Sequence, residues 1–196
     1  NSGDSAQTIW LLNKYKVDLS NNEKFKGELA FEAAIHGFSD VLLLLIDHMD
    51  DVNVKGDLGY SLIFAAAKKG NAEVIKKLVS RGADVNTASQ KKTPLYKAIE
   101  YGNFDAFIAL LNLGANTRSI SEYDSAIEFA VQNAREDMVN ELLSRSKSEE
   151  INVTKLALRA IGYYSEYNNT TAKDSAMNLL KDFVDRVASL DPLIDQ

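Results

Sequence analysis

Leu78-Val79-Ser80-Arg81-Gly82-Ala83-Asp84-Val85-Asn86, with Thr93-Pro94-Leu95-Tyr96-Lys97-Ala98 close behind it, decides the fold. The first stretch reads as the end of an amphipathic helix stopped by Gly82, because glycine takes the left-handed backbone of a helix terminus without a Cβ penalty. The second reads as the start of another helix. Pro94 suits the first turn, where its missing N–H costs nothing, and Thr93 stands where a hydroxyl can cap the turn.

Both stretches recur along the chain. Gly37, Gly70 and Gly102 are separated by 33 and 32 residues, Asp51-Val52-Asn53 returns 33 residues later as Asp84-Val85-Asn86, and Gly82-Ala83 returns after 32 as Gly114-Ala115. With those frames aligned, Ala33, Ala66, Ala98 and Ala130 form one column and Leu45, Leu78, Leu110 and Leu142 another, the latter beside Ile46, Val79, Leu111 and Leu143. Within one period, Val74, Ile75, Leu78 and Val79 keep the one-face spacing of a helix. Each period therefore holds two helices: a short one rich in alanine, as in Phe64-Ala65-Ala66-Ala67-Lys68-Lys69, and a longer one over 72–81 carrying branched residues. Small side chains let neighbouring periods approach closely and large ones fill the outer core, an asymmetry expected to bend the stack with the alanine helices on the inner, concave side.

On these residues the chain resembles the ankyrin-repeat family. The family's Thr-Pro-Leu-His-x-Ala signature is matched most closely by Thr93-Pro94-Leu95-Tyr96-Lys97-Ala98, and its outer-helix and loop signature by residues 78–86. Two periods, from about Asp57 to Arg118, match well, and those beginning at Phe25 and Glu122 keep the columns with eroded motifs. The resemblance implies an all-α ankyrin solenoid: a partial first unit over 1–20, units near 24–56, 57–88, 89–120 and 121–153, and a helical C-terminal cap or divergent fifth repeat over 154–196. Residues 5–17, with Trp10 as a packing residue, read as the outer helix of the partial unit. Helices are expected over 154–164 and from Thr171, the latter with Asp174 in a capping box, an apolar face of Ala176, Leu180, Phe183, Val184 and Val187, and Pro192 closing it.

Departures from the family pattern carry expectations of their own. Phe31, Phe64, Tyr96 and Glu128 stand where the family has histidine, so that residue's side-chain hydrogen bonds are expected to be missing. Ala134 replaces the turn glycine of the fourth unit, and Lys147-Ser148-Glu149-Glu150 replaces its Gly-Ala-Asp loop, so this unit should be less regular.

Composition narrows the function. The 196 residues are 45% hydrophobic and 26% charged, with only two prolines, a balance that suits a water-exposed fold with a substantial core. No cysteine is present, which excludes disulfides, thiolate zinc sites and thiol catalysis, and is compatible with an intracellular, cytoplasmic setting. A net charge of −6 argues against general nucleic-acid binding, for which Lys68–Lys69 and Lys91–Lys92 are short clusters. The longest apolar run, Val41 to Ile46, falls far short of the roughly 20 residues that cross a bilayer, so no membrane association is expected. The chain starts at Asn1 without a methionine and reads as an excised or processed piece.

Catalytic patterns are weak. His36 and His48 lie 12 residues apart on different helices without a ligand cluster at metal spacing, and His48 suits a helix C-terminus as a cation. Asp50-Asp51, Glu136-Asp137 and Glu149-Glu150 are adjacent pairs that do not share a helix face, and the glycines follow the repeat instead of forming a phosphate loop. The matches to the glycosylation pattern at Asn152, Asn168 and Asn169 have no meaning without secretion. No enzymatic activity, cofactor or metal is expected.

In ankyrin proteins partners dock on the inner helices and the hairpin tips ahead of them. Carried over position by position, the resemblance implies a partner-binding face of Ile35, His36, Tyr60, Lys68, Lys69, Lys92, Glu100, Tyr101, Gln132 and Asn133, with Phe25, Leu58, Glu122 and Tyr123 beside it. Tyr60 and Tyr101 are of a type enriched in binding hot spots, Ile35 fills a slot that structure alone would leave polar, and Lys68–Lys69 beside Glu100 makes a mixed-charge stripe. The expected partner is another protein, held by a monomer. Two further readings are a regulatory or targeting arm of a larger enzyme, or of an effector delivered into the cytosol of a host cell by a bacterium or virus, and a hydroxylase substrate, because Asn53 and Asn86 resemble loop asparagines that protein hydroxylases modify.

Overall fold

In the computed structural model the described residues are 22–56, 59–89, 91–118, 125–146 and Lys181. The helix expected over 5–17, Trp10 and, apart from Lys181, the C-terminal cap expected over 154–196 lie outside them. The chain divides into two compact units, residues 1–120 and 121–196. Eight helices are found among the described residues: α1 (Glu23–His36), α2 (Ser39–His48), α3 (Leu62–Lys69), α4 (Ala72–Ser80), α5 (Pro94–Tyr101), α6 (Phe104–Asn112), α7 (Ala126–Gln132) and α8 (Glu136–Arg145). Strand-like pairing among them is limited to isolated bridges at hairpin tips, Lys55 with Ser61 and Ser89 with Lys92. The fold is an all-α repeat.

In the first unit α1–α2, α3–α4 and α5–α6 are helix hairpins stacked so that inner helices α1, α3 and α5 meet in sequence, as do outer helices α2, α4 and α6. The inner layer is alanine: Ala30, Ala33, Ala34, Ala65, Ala66, Ala67 and Ala98 are all buried. The outer core is branched and aromatic, with Leu45, Ile46, Val74, Ile75, Leu78, Phe107 and Leu110 buried completely. Each such side chain stabilises by roughly 1.5–3 kcal/mol, against about 1 kcal/mol for a helix cap, so the outer columns dominate the energy and the caps set the register.

The glycine periodicity has a direct structural cause. Gly37, Gly70 and Gly102 end the inner helices at φ 78°, 79° and 71°, each N–H closing the last turn. Gly70 is constrained twice, because an added Cβ would stand 3.0 Å from the Asn103 side chain. Asn103 explains that crowding. Its amide donates to the carbonyls of Ala67 (2.9 Å) and Lys68 (2.8 Å), so the first residue ahead of one outer helix caps the preceding inner helix.

Other polar side chains also reach across from one hairpin to the next. Arg81 Nη2 donates to the Met49 carbonyl at 2.7 Å, and Lys77 Nζ lies 2.5 Å from Asp47. Asn71 donates to Ser39, and Ser89 Oγ donates to the Gly59 carbonyl at 3.0 Å. The tip of the second hairpin packs closely on α1: a Cβ on Gly56 would come within 2.2 Å of the Phe31 ring, which would have to shift. In α1 the buried Lys26 pairs with Glu23 and donates to the His48 carbonyl at 2.6 Å, satisfying the C-terminal end of α2 together with Arg81.

Two sequence expectations are corrected in detail. Thr93 occupies the cap position of α5, yet its hydroxyl makes no capping bond and is buried without a hydrogen-bond partner, whereas Ser61 in the equivalent place accepts from the Phe64 N–H at 3.3 Å. Glu128, in the family's histidine column, does form a side-chain hydrogen bond: it accepts from the Ser125 N–H at 2.9 Å and completes a capping box on α7. That bond belongs to the second unit, where α7 and α8 form one hairpin over buried Ala126, Phe129, Ala130, Met138, Val139 and Leu142. Between them Ala134 is held at φ 54°, a left-handed backbone that costs an L-residue with a Cβ roughly 1–2 kcal/mol.

Two substitutions test these details by thermal unfolding. Ala134→Gly relieves the left-handed strain and is expected to stabilise the second unit by about 1 kcal/mol; a lower melting temperature contradicts the strain. Thr93→Val removes a buried hydroxyl without a partner and is expected to be neutral or stabilising, where loss of a true cap costs about 0.5–2 kcal/mol.

Candidate partner-binding face

The C-terminal turns of the inner helices carry the expected face, and the first unit builds it. Ile35 and His36 end α1, Lys68 and Lys69 end α3, and Glu100 and Tyr101 end α5, each pair directly ahead of a capping glycine. The left-handed cap turns the backbone away, so these side chains point off the stack. Ile35 is 37% exposed and Tyr101 is 46% exposed, two of three large apolar side chains so placed among the described residues. The third, Phe25, lies near the N-terminus of α1.

Tyr101 is held between cations. Lys68 Nζ lies 5.3 Å from its ring centroid and Lys97 Nζ 5.0 Å. Lys97 also sits 5.4 Å from the Phe64 ring and 3.1 Å from Glu100 Oε2. Phe64 in turn stacks on Tyr60, centroids 4.8 Å apart with planes 7° from parallel. Lys92 reaches the same Glu100 oxygen at 3.1 Å. Tyr60, Phe64, Lys97, Tyr101, Glu100 and Lys92 are thus one connected group joining the second hairpin to the third.

Lys97 is the residue that sequence reasoning missed. It occupies the variable slot of the Thr93–Ala98 motif, and no pattern marks it. The signal was its spacing of three and four residues from Glu100 and Tyr101, which places all three on one side of α5. Glu100, expected beside Lys68–Lys69, is instead engaged by Lys92 and Lys97, and Lys68 turns to Tyr101. Lys69 lies across Gly37, its Cδ 3.7 Å from where a Cβ would stand, and stays exposed.

The remaining residues divide by role. His36 is exposed, stacks on Phe38 at 5.8 Å and has Nε2 3.5 Å from Glu32. Gln132 and Asn133 belong to the second unit, where both are half-buried and Asn133 donates to the Phe129 carbonyl at 2.8 Å. The loop asparagines are engaged between repeats: Asn53 donates to the Gly82 carbonyl at 3.3 Å, and Asn86 accepts from the Asn116 N–H at 2.7 Å. Among the described residues no group of three or more His, Asp or Glu side chains could hold a metal ion. No helix among them is long and apolar enough to cross a membrane.

Lysines hold a carboxylate on each of the two layers. Burial pushes the Glu100 carboxyl up, but its bonds to Lys97 and Lys92 outweigh that and hold it below its ordinary value of 4.5. On the outer side the Lys77 ammonium, aided by Arg81, holds Asp47 below its ordinary value. A carboxyl depressed on folding contributes stability above its unfolded pKa and loses it as pH falls through the folded one. The melting-temperature difference between the native chain and Glu100→Gln is therefore expected to be full above pH 4.5 and to shrink below it; a pH-independent difference contradicts the ion-pair account.

A profile described as Ankyrin repeats (3 copies) matches the chain in three overlapping stretches, residues 1–89, 30–121 and 62–155. BCL-6 corepressor-like protein 1 of Homo sapiens is 28% identical over 129 residues, covering 64% of this chain and 7% of its own length. Two ankyrin repeat proteins of Acanthamoeba polyphaga mimivirus are also similar. One is 33% identical over 121 residues, covering 56% of this chain and 65% of its own length, and the other is 28% identical over 115 residues, covering 58% and 16%. The chain thus spans less than two thirds of each of these relatives. With alanine inner helices, glycine-capped turns and repeating Asp-x-Asn loops beside matches that together run through residue 155, the chain belongs to the ankyrin-repeat family.

Proposed function

We propose that the chain is a non-catalytic, monomeric protein-binding module whose inner-helix face in the first unit holds a partner protein. Ankyrin repeats are in general protein–protein interaction modules, and a fold of this kind brings no catalytic constellation of its own. The observation that carries the reading is Tyr101. A large aromatic ring, half exposed, lies under the ammoniums of Lys68 and Lys97 at the end of an inner helix. Anchors of this kind, rigid before binding, lose little side-chain entropy when covered, and tyrosine is enriched among the residues that dominate interfaces. Ile35 extends the apolar area onto α1. Exclusion of nucleic acid rests on the negative net charge, and an intracellular setting, host cytosol included, suits the cysteine-free sequence.

A second reading, an arm that recruits or regulates the rest of a larger protein, is favoured by the 7%, 16% and 65% of the relatives' lengths that the matches cover. It uses the same face and differs only in what lies beyond it. Hydroxylation of Asn53 and Asn86 is a weaker reading, because both side chains already bridge successive loops.

Site-specific photo-crosslinking tests the face. A photoreactive residue at position 101 is expected to capture a defined protein from source cells, while one at Lys76, exposed on outer helix α4, captures none. Replacing Lys68, Lys69 and Tyr101 with alanine should abolish capture by a crosslinker moved to position 35, with the melting temperature nearly unchanged. Capture at position 76 alone, or capture that survives the triple replacement, overturns the assignment. Tyr60 is left out of the set because its stack on Phe64 makes it structural as well.

A further inference from the structure

We infer that the partner of this face is an acidic protein segment, one that sets carboxylates against Lys68 and Lys69 and lays an apolar or aromatic side chain on Tyr101. The inference rests on the reading of the inner-helix face as the docking site and goes on to name the chemistry of its occupant. The chain carries a net charge of −6, yet residues 62–69 and 91–101 together hold five lysines and a single acid, a local net of +4. The positive charge is thus concentrated on α3, on α5, which Tyr101 ends, and on the tip ahead of α5.

The one acid does not cancel the part of the face that a partner would meet. Glu100 is occupied by Lys92 and Lys97, which draws those two ammoniums down beside the helix. Lys68 and Lys69 are exposed and have no carboxylate partner among the described residues. They also stand at the C-terminal end of α3, where Asn103 already takes the carbonyls of Ala67 and Lys68. The local demand for cationic capping is therefore reduced, which leaves Lys68 over the Tyr101 ring and Lys69 exposed, both open to a carboxylate from outside. Elsewhere in the first unit Lys24 engages Glu28 and Lys77 engages Asp47, while the exposed Lys55 and Lys76 also lack an acid among the described residues, so it is the Tyr101 ring beside Lys68 that sets this lysine pair apart. Two ammoniums without a carboxylate, one of them over a half-exposed ring, form a recognition element for alternating carboxylate and apolar groups, and would repel a basic segment.

Fluorescence anisotropy with the full chain tests this. The probe is a labelled twelve-residue peptide of alternating glutamate and leucine with one tryptophan; a matching peptide with lysine for glutamate and a twelve-nucleotide single-stranded DNA are comparators. The glutamate peptide is expected to bind at least tenfold more tightly than the lysine peptide and the DNA, and to weaken several-fold between 50 and 300 mM salt. Lys68→Glu with Lys69→Glu should cost at least tenfold, while Lys76→Glu on the outer helix changes nothing. Equal binding of the DNA would make the face a general anion site and overturn the inference, as would insensitivity to the double charge reversal. Preference for the lysine peptide, lost on Tyr101→Ala, would also overturn it while leaving the docking face itself standing. Circular dichroism of each variant confirms that the helices persist.

Discussion

No described hairpin of the first unit can cover its own oily side, and everything else there follows from that deficit. Two helices such as α3 and α4, of eight and nine residues, expose a layer such as Val74, Ile75 and Leu78 that the neighbouring hairpins bury. The alanine columns serve the same need on the other layer, because a larger residue at Ala66 or Ala98 would hold the inner helices apart and uncover the outer core. Stability is therefore shared between neighbours, and each hairpin contributes in proportion to the surface it lends.

Polar groups follow the apolar logic. A short helix leaves a large fraction of its backbone groups unpaired at its ends, and here the adjacent hairpin supplies the partners. Asn103 caps α3 and Arg81 satisfies the end of α2 from the next hairpin, with Lys26 of α1 adding a bond from within the same one. Such bonds are individually modest, but they exist in only one register. They convert a greasy stack that could slide into a single arrangement, and that fixed arrangement lets Lys68 of one hairpin meet Tyr101 of the next.

Much of this was legible in the sequence because the strongest constraints repeat. A glycine that must be left-handed and an alanine that must be small leave the same letter at the same spacing, so the hairpins and the ends of α1, α3 and α5 could be read directly. The candidate face was legible in position but not in wiring. Glu100 could have met Lys68, and only three dimensions show that Lys97 intercepts it. Side chains of long reach have many partners within range, and spacing along one helix does not choose among those offered by another. The idle hydroxyl of Thr93 was hidden for a similar reason: the residue fits the cap, but its rotamer is decided by packing.

The contact between Phe31 and Gly56 has a bearing on how such arrays change over time. Tandem duplication and deletion of whole units are cheap only if every unit presents the same joints to its neighbours. Here one unit carries a ring that lies where a side chain at the facing turn would stand, so inserting a copy with a bulkier residue there would require the Phe31 ring to move. A duplicated unit would therefore fit this joint most readily if it kept a glycine at that turn, whereas point changes on the exposed ends of the inner helices meet no such constraint.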